Sequence, residues 1–386
     1  MTTYKRLGDY IREVNVRNRD EKVTNLLGLS MSKQFRPSTS NIVGVDLSKY
    51  KVVDKNCFAF DPMSVIRVHK VPIAINNTNS PIIVSPAYYI FECIDENKLS
   101  PRYLMMWFQR AEFDRYADFK SDAAVRGGYD WDELCETVIC IPSIERQREI
   151  VEEYETLSRR ISLNEQMIQK LEATAQALYR KMFVDGIDKE NLPDGWRMGI
   201  LEDLGEIVGG ATPSTEVAEY WSDNDITWLS PADLSKQGVK FIAKGAKDIT
   251  SLGFKSCSTK MLPEHSILFS SRAPIGLMAI NTCEVCTNQG FKSLVPNSEI
   301  GYPYAYYYLL SLRNKIAEEN AGSTFDEVSG KTMKEYEAII PPKEQTDEFT
   351  ALSTPIFKQQ ELKEQENSKL SELQSLLLAK MGNLKQ

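Results

Sequence analysis

Ile141-Pro142-Ser143-Ile144-Glu145 opens a long stretch that mixes apolar and polar residues, and Ile340-Pro341-Pro342-Lys343-Glu344 opens another. Laid over each other at an offset of 199, residues 141–182 need no gap, and twelve of the 42 positions are identical. They are Ile141, Pro142, Glu145, Glu149, Leu163, Glu165, Gln166, Lys170, Leu171, Leu178, Lys181 and Met182. Chance gives about three, and a period this long means a duplicated domain rather than a solenoid, whose units are far shorter. The regions that precede the two stretches also begin alike, Leu7-Gly8-Asp9 against Leu204-Gly205-Glu206. Two copies of one unit can present two similar surfaces about a pseudo-two-fold axis, which suits a two-part target.

Residues 144–183 read as one helix. Ile150, Tyr154, Leu157, Ile161, Asn164, Ile168, Leu171, Ala175, Leu178 and Met182 alternate by four and three, and no Gly or Pro intervenes before Gly186. That is a heptad seam with one polar member, Asn164. The second copy, about 344–384, reads less regularly, through Phe349, Leu352, Ile356, Leu370, Leu373, Leu377 and Leu384, with Pro355 expected to kink it or lie near its start. Each stripe needs a partner, and the simplest is the other helix, running antiparallel. Leu163, Met167 and Val151 on the first helix, with Leu362, Leu376 and Met381 on the second, fall off these seams and suggest a second contact surface.

The remainder differs in kind. Short β-type runs such as Tyr50–Val53, Val71–Ile75, Pro81–Val84, Tyr88–Phe91, Ile226–Leu229, Ser266–Phe269 and Leu277–Ile280 are punctuated by Gly, Pro, Asn and Ser. Each lobe closes with a helix, Pro101 to about Tyr116 and Pro303 to about Glu319. The predicted class is α+β: two globular lobes, residues 1–140 and 197–338, with long helices at 141–185 and 339–386 and a linker at 186–196.

At 386 residues the chain has room for two or three domains. No run of about 18 apolar residues suggests a membrane span, no apolar segment follows the N-terminus as in a secretory signal, and seven cysteines fit a reducing compartment. A cytoplasmic location is expected. Net charge is −8, yet residues 1–70 carry 13 Lys/Arg against 7 Asp/Glu, and residues 236–292 carry 8 against 3. Phosphate contacts need a local basic surface, not a basic protein.

One order of motifs runs through the chain. A lobe is followed by Ile-Pro-x-x-Glu and a long helix. Then come Leu192-Pro193-Asp194-Gly195-Trp196, Leu204-Gly205 and Gly210-Ala211-Thr212-Pro213-Ser214. Asn288-Gln289-Gly290-Phe291 and the run from Gly322-Ser323-Thr324 to Ile340-Pro341-Pro342-Lys343-Glu344-Gln345 complete it. This order resembles the specificity subunit of type I restriction-modification enzymes. The first lobe matches through Tyr129-Asp130-Trp131-Asp132-Glu133-Leu134 before Ile141-Pro142, but near residue 15 it lacks a Gly-x-Thr-Pro-Ser equivalent. The resemblance implies two target-recognition domains, each reading half of a bipartite double-stranded DNA site. It implies that the antiparallel helices set the unread gap and dock two modification (methyltransferase) subunits, joined by restriction (motor-nuclease) subunits. S-adenosylmethionine would belong to the methyltransferase partner, and this chain would have no catalytic, metal or cofactor site. A competing reading is a non-enzymatic coiled-coil interaction scaffold whose lobes bind protein or carbohydrate.

Base-contact candidates are polar or basic and loop-borne: Lys33, Gln34, Arg36, Arg67, His69, Lys70 and Arg126 in the first lobe, and Lys236, Gln237, Lys240, Arg272, Asn288 and Gln289 in the second. Arg and Lys suit guanine; Asn and Gln suit adenine. Each is also readable as a solvated surface residue, and Asn288 and Gln289 as internal caps. The helix–helix seam is assigned to Ile150, Leu157, Ile161, Ile168, Leu171, Leu178, Ile356, Leu370, Leu373 and Leu377. Several motifs are decoys. Gly330-Lys331-Thr332 lacks the upstream glycine of a phosphate loop, because position 325 is Phe325. Ser85-Pro86-Ala87-Tyr88 lacks the amide or carboxylate of a base-gripping methyltransferase tetrapeptide. Cys283-x-x-Cys286 has no second pair for a zinc site. Asp130, Asp132 and Glu133 read as a helix start.

Overall fold

The computed structural model describes residues 4–38, 45–123, 129–320 and 327–382. The chain forms two compact units, Met1–Ile161 with Ser368–Gln386, and Ser162–Asn367. Both boundaries fall inside a long helix, so each unit consists of one lobe and half of each helix.

In the first unit the central sheet is antiparallel, in the order Ile11–Glu13, Tyr89–Cys93, Phe58–Phe60, Ile73–Ile75. Its strands alternate large and small, Phe58-Ala59-Phe60 against Ile73-Ala74-Ile75. Side chains alternate faces along a strand. Phe58, Phe60, Ile73, Ile75 and Phe91 therefore enter one core with the helix Pro101–Gln109. Ala59, Ala74 and Ile90 face a second, smaller core under Lys51–Val53 and Ile82–Val84. In the second unit the five-stranded sheet runs Gly205–Gly209, Lys292–Pro296, Ile267–Phe269, Met278–Asn281, Phe241–Ile242. It has the same division: Ile267, Phe269 and Ile280 face one core, and Leu268 and Ala279 the other.

The frame around each sheet recurs. Tyr4–Arg6 pairs with Val138–Cys140, and Arg197–Ile200 with Glu337–Ile340, both antiparallel. The buried Tyr103 hydroxyl donates to the Cys140 carbonyl at 2.9 Å, and Tyr304 to the Ile339 carbonyl at 2.7 Å. Gln147 and Thr346, equivalent under the repeat, tie the start of each long helix back to its lobe. Gln147 Nε2 donates to the Lys98 carbonyl at 2.9 Å, and Thr346 Oγ1 to the Glu299 carbonyl at 2.8 Å. Asp130 caps a short helix, Trp131–Glu136, through the Glu133 amide, as its position predicts.

The long helices run Ile144–Phe183 and Lys343–Met381, and the second passes through Pro355 without ending. In the first unit Gln374 Nε2 donates to Ser158 Oγ at 2.7 Å. In the second, Asn164 Nδ2 donates to Asn367 Oδ1 at 2.9 Å and Gln360 Nε2 to Glu172 Oε2 at 2.9 Å. In the second unit the two pairs run antiparallel, residue number rising on one helix as it falls on the other. Of the seam positions, Ile150 is buried, and Leu157, Ile161, Ile168, Leu171, Leu178, Ile356, Leu370 and Leu377 are half-buried. Leu373 is 48% exposed and Leu352 46%, so neither belongs to the seam. Ser353, Gln360 and Met381, each 1% exposed or less, lie inside instead, and Val151 is buried as well. Leu384 lies outside the described residues.

One further expectation shifts. The helix after Pro101 stops at Gln109 and a second spans Ala111–Ala123, because Arg110 adopts an extended conformation. That break lets Arg110 Nε donate to the Leu378 carbonyl at 3.0 Å, with the guanidinium 4.3 Å above the Trp107 ring. Among the described residues, no helix is long and apolar enough to cross a membrane.

Candidate nucleic-acid interface

In the second unit the loop Gly210–Ser214 follows one strand, Gly205–Gly209, and Asn288–Phe291 precedes its neighbour, Lys292–Pro296. The antiparallel pairing brings the two loops together. A Cβ on Gly210 would lie 2.1 Å from the Thr287 carbonyl oxygen and 2.2 Å from that of Asn288, so the position accepts only glycine. The Ala211 amide then donates to Thr287 O at 2.9 Å, and Thr212 Oγ1 donates to Gln289 Oε1. Trp228 Nε1 holds the Ala211 carbonyl at 3.0 Å, and Trp221 Nε1 that of Ser214 at 3.1 Å. Asn288 turns its own loop, Oδ1 accepting the Gly290 amide at 2.9 Å. It is an internal cap, and Gln289 beside it is exposed.

Arg272 arrives through its neighbour: the Ser271 amide donates to the Gly290 carbonyl at 2.8 Å. The Arg272 guanidinium meets Glu327 Oε2 at 2.9 Å through Nη2 and 3.0 Å through Nε, and Lys292 Nζ lies 3.3 Å from Glu327 Oε1. Burial works against the Glu327 carboxylate, but hydrogen bonds from Arg272 and Lys292 outweigh it and hold its pKa below the ordinary value. Lys236 and Gln237 are exposed on the helix Pro231–Gln237, and Gln237 Nε2 donates to the Lys244 carbonyl at 2.8 Å. Pro231 at the start of that helix would lie 3.1 Å from a Cβ on Gly290, so it borders the same loop.

Lys240 does not join this surface. Its side chain is 9% exposed, with Nζ 2.8 Å from Glu172 Oε2, 3.2 Å from the Tyr307 hydroxyl and 3.3 Å from Gln360 Oε1. The ammonium stands 3.6 Å from the centre of the Phe357 ring. Burial lowers its pKa to about 8, against the pull of Glu172. Its partners lie on both long helices, so it serves the interior.

Lys33 in the first unit is internal in the same way. Its left-handed backbone ends a turn, and its side chain enters the core, where Nζ donates to Asp114 Oδ1 at 2.7 Å and to the Phe108 carbonyl. Burial pulls its pKa down. Asp114 Oδ1 also accepts the Val71 amide at 3.0 Å, and one helical turn on, Asp118 Oδ1 lies 2.8 Å from His69 Nδ1. Two basic segments therefore contact the helix Ala111–Ala123: one carries Gln34 in a bend and Arg36 on the strand Phe35–Pro37, the other Arg67 on the short helix Val65–Val68 with His69 and Lys70 after it, all exposed, so Arg36 and Arg67 are not loop-borne. Arg36 Nε donates to the Leu29 carbonyl at 3.3 Å. Arg126 lies outside the described residues.

Thr212, Lys292, Glu327, Asp114 and Asp118 were absent from the sequence-based candidates. Thr212, Lys292 and Glu327 stand inside or next to quoted motifs and were within reach; Asp114 and Asp118 had no such marker. Gly330-Lys331-Thr332 opens a short helix capped by Ser329 Oγ, which accepts the Thr332 amide at 3.0 Å. Cys286 is buried on a strand, and Cys283 Sγ lies 3.2 Å from the Ala243 carbonyl.

Residues 193–372, which hold all of these second-unit loops, match the family described as the type I restriction modification DNA specificity domain. That stretch of the chain is similar to this family. The type I restriction enzyme MjaIX specificity subunit of Methanocaldococcus jannaschii is 38% identical over 169 residues, covering 43% of this chain and 39% of that protein. The HindI specificity subunit of Haemophilus influenzae is 25% identical over 383 residues, covering 80% of this chain and 82% of its own length. The type I restriction-modification S subunit from M. genitalium shares the fold with a TM-score of 0.63 at 12% identity, covering 100% of this chain and 97% of that one. The chain runs in the order lobe, long helix, lobe, long helix.

Proposed function

We propose that the chain is the sequence-specific DNA-binding specificity subunit of a type I restriction-modification complex, without chemistry of its own. Each lobe reads one half of a bipartite site. One observation carries this reading: the segment that matches the DNA specificity domain is also where three separated stretches bring Thr212, Arg272, and Gln289 with Lys292 to one place. Phosphate contacts fix position and base-edge contacts supply sequence. Gln289 offers the amide that suits adenine and Arg272 the fork that suits guanine. In the first lobe the corresponding set is Gln34, Arg36, Arg67, His69 and Lys70.

The long helices set the gap between half-sites and dock two methyltransferase subunits, which bring S-adenosylmethionine; restriction subunits join for cleavage, in the cytoplasm. Exposed apolar side chains support docking. In the second unit Leu163 is 60% exposed, Met167 48% and Leu362 44%, and Leu163 and Leu362 are equivalent under the repeat. In the first unit Leu157, Leu373, Leu376 and Leu377 line an apolar groove of about 590 Å³, rimmed by Glu149, Glu152 and Glu153. Exposed apolar side chains grouped in this way mark interaction surfaces.

Selection of randomised duplexes by the full chain, with and without its methyltransferase partner, tests the reading. A bipartite consensus with a constant gap is the expected result. No enrichment under any condition would favour a protein- or carbohydrate-binding scaffold instead.

A further inference from the structure

Arg272 and Lys292 are the two cations beside Gln289 on the recognition face, and both are taken by one carboxylate. Glu327 Oε2 receives Arg272 through two nitrogens, at 2.9 and 3.0 Å, and Oε1 lies 3.3 Å from Lys292 Nζ. The pairing is built into the backbone, since Arg272 and Glu327 form an antiparallel bridge and the Val328 amide donates to Ser271 O at 2.9 Å. The group is neither sealed nor fully wet: side-chain exposure is 48% for Arg272, 31% for Glu327 and 16% for Lys292. With one oxygen on Arg272 and the other near Lys292, the carboxylate occupies the place that the two free oxygens of a phosphodiester can take. A half-exposed pair of this kind is weak enough to exchange.

We propose that Glu327 is a specificity-determining residue that occupies, in the DNA-free protein, the place a backbone phosphate or guanine edge takes in the complex. The inference rests on the DNA-reading function and deepens it. Glu327 cancels one of two positive charges and holds both side chains. A duplex offering only its backbone must displace this carboxylate to gain Arg272 and Lys292. A duplex that also satisfies Gln289 and the neighbouring loop has further contacts to offset that exchange. Glu327 therefore lowers affinity for unrelated DNA more than affinity for the cognate half-site, and the ratio between them depends on it.

The test is Glu327→Gln in the full chain, with fluorescence anisotropy on a site-bearing and an unrelated duplex between about 50 and 200 mM salt. Binding to the unrelated duplex should tighten about tenfold, the slope of log K against log salt should steepen by about one, and the site-bearing duplex should gain less. Adding Arg272→Ala to Glu327→Gln should remove the gain, which a rearranged loop would not produce. Wild type that binds both duplexes, with Glu327→Gln unchanged in affinity and slope, overturns the exchange alone. Equal tightening on both duplexes overturns the specificity role. Wild type that binds no duplex overturns the DNA-reading function and this inference together.

Discussion

Lys33 and Lys240 illustrate what single residues conceal. Lys33 stands among polar neighbours, Ser32-Lys33-Gln34, and Lys240 follows a glycine turn, Gln237-Gly238-Val239; both read as surface cations. Their burial is decided by residues far along the chain: Phe108 and Asp114 for one, Glu172, Phe357 and Gln360 for the other. Gln34, Arg36 and Gln289 stay exposed, and the one distant contact among them, Thr212 to Gln289, lies at the surface. Burial of Lys240 has a consequence in solution. Its amine loses its proton at about 8 in the folded chain and at 10.5 ordinarily. Between those values the unfolded chain binds more protons, so this group's contribution to stability rises with pH in that window. Other groups move oppositely: burial raises the Cys93 and Cys286 thiols, which costs stability once unfolded thiols ionise. Only a difference isolates the lysine. Thermal unfolding of wild type minus Lys240→Met should shift in favour of wild type between pH 8 and 10.5. A difference that is flat across the window would mean the ammonium is not held as described.

At the scale of elements, the first long helix was legible because its period is unbroken. Residues 144–183 were read, and Ile144–Phe183 is observed. The second was misread for a physical reason. Its seam follows Phe349, Ser353, Ile356, Gln360, Asn367, Leu370, Gln374, Leu377 and Met381, and four of these are polar. A search for apolar positions drifts onto Leu352 and Leu373, which face solvent. The offset of 199 would have located them, since it carries Tyr154 onto Ser353, Ile161 onto Gln360 and Ala175 onto Gln374. The polar members meet polar partners, Ser158, Glu172 and Asn164, and such pairs fix register at some cost in stability. Leucines displaced from the seam become the exposed ones. Charging them separates docking from folding. Leu163→Glu with Met167→Glu, and Leu373→Glu with Leu376→Glu, should each leave the melting temperature within about 2 °C, because the side chains are exposed, the least so at 48%. Each pair should reduce co-purification with the methyltransferase subunit at least tenfold. Undiminished co-purification in both variants would remove the helices from the docking surface.

At the scale of the whole molecule, the repeat decides what a change in one part does to the rest. Each lobe is tied to its own helix start by an equivalent residue, Gln147 or Thr346, and closed by an equivalent tyrosine, Tyr103 or Tyr304. Under the proposed function, readout and measurement fall to different parts: the loops would make the base contacts, and the helices would set the gap. Seven residues inserted into each long helix at equivalent positions add two turns, which preserves the seam to within about 20° and lengthens each helix by about 10 Å. Along B-form DNA that is about three base pairs at 3.4 Å per pair. Three pairs also carry the second half-site about a third of a turn around the duplex, and DNA or lobe must deform to follow. The selected consensus should therefore keep both half-words, lengthen the gap and bind more weakly. Duplex selection with the inserted protein reads all three. Changed half-words would mean that the helices shape the recognition loops themselves, and an unchanged gap would mean that something other than these helices sets the spacing.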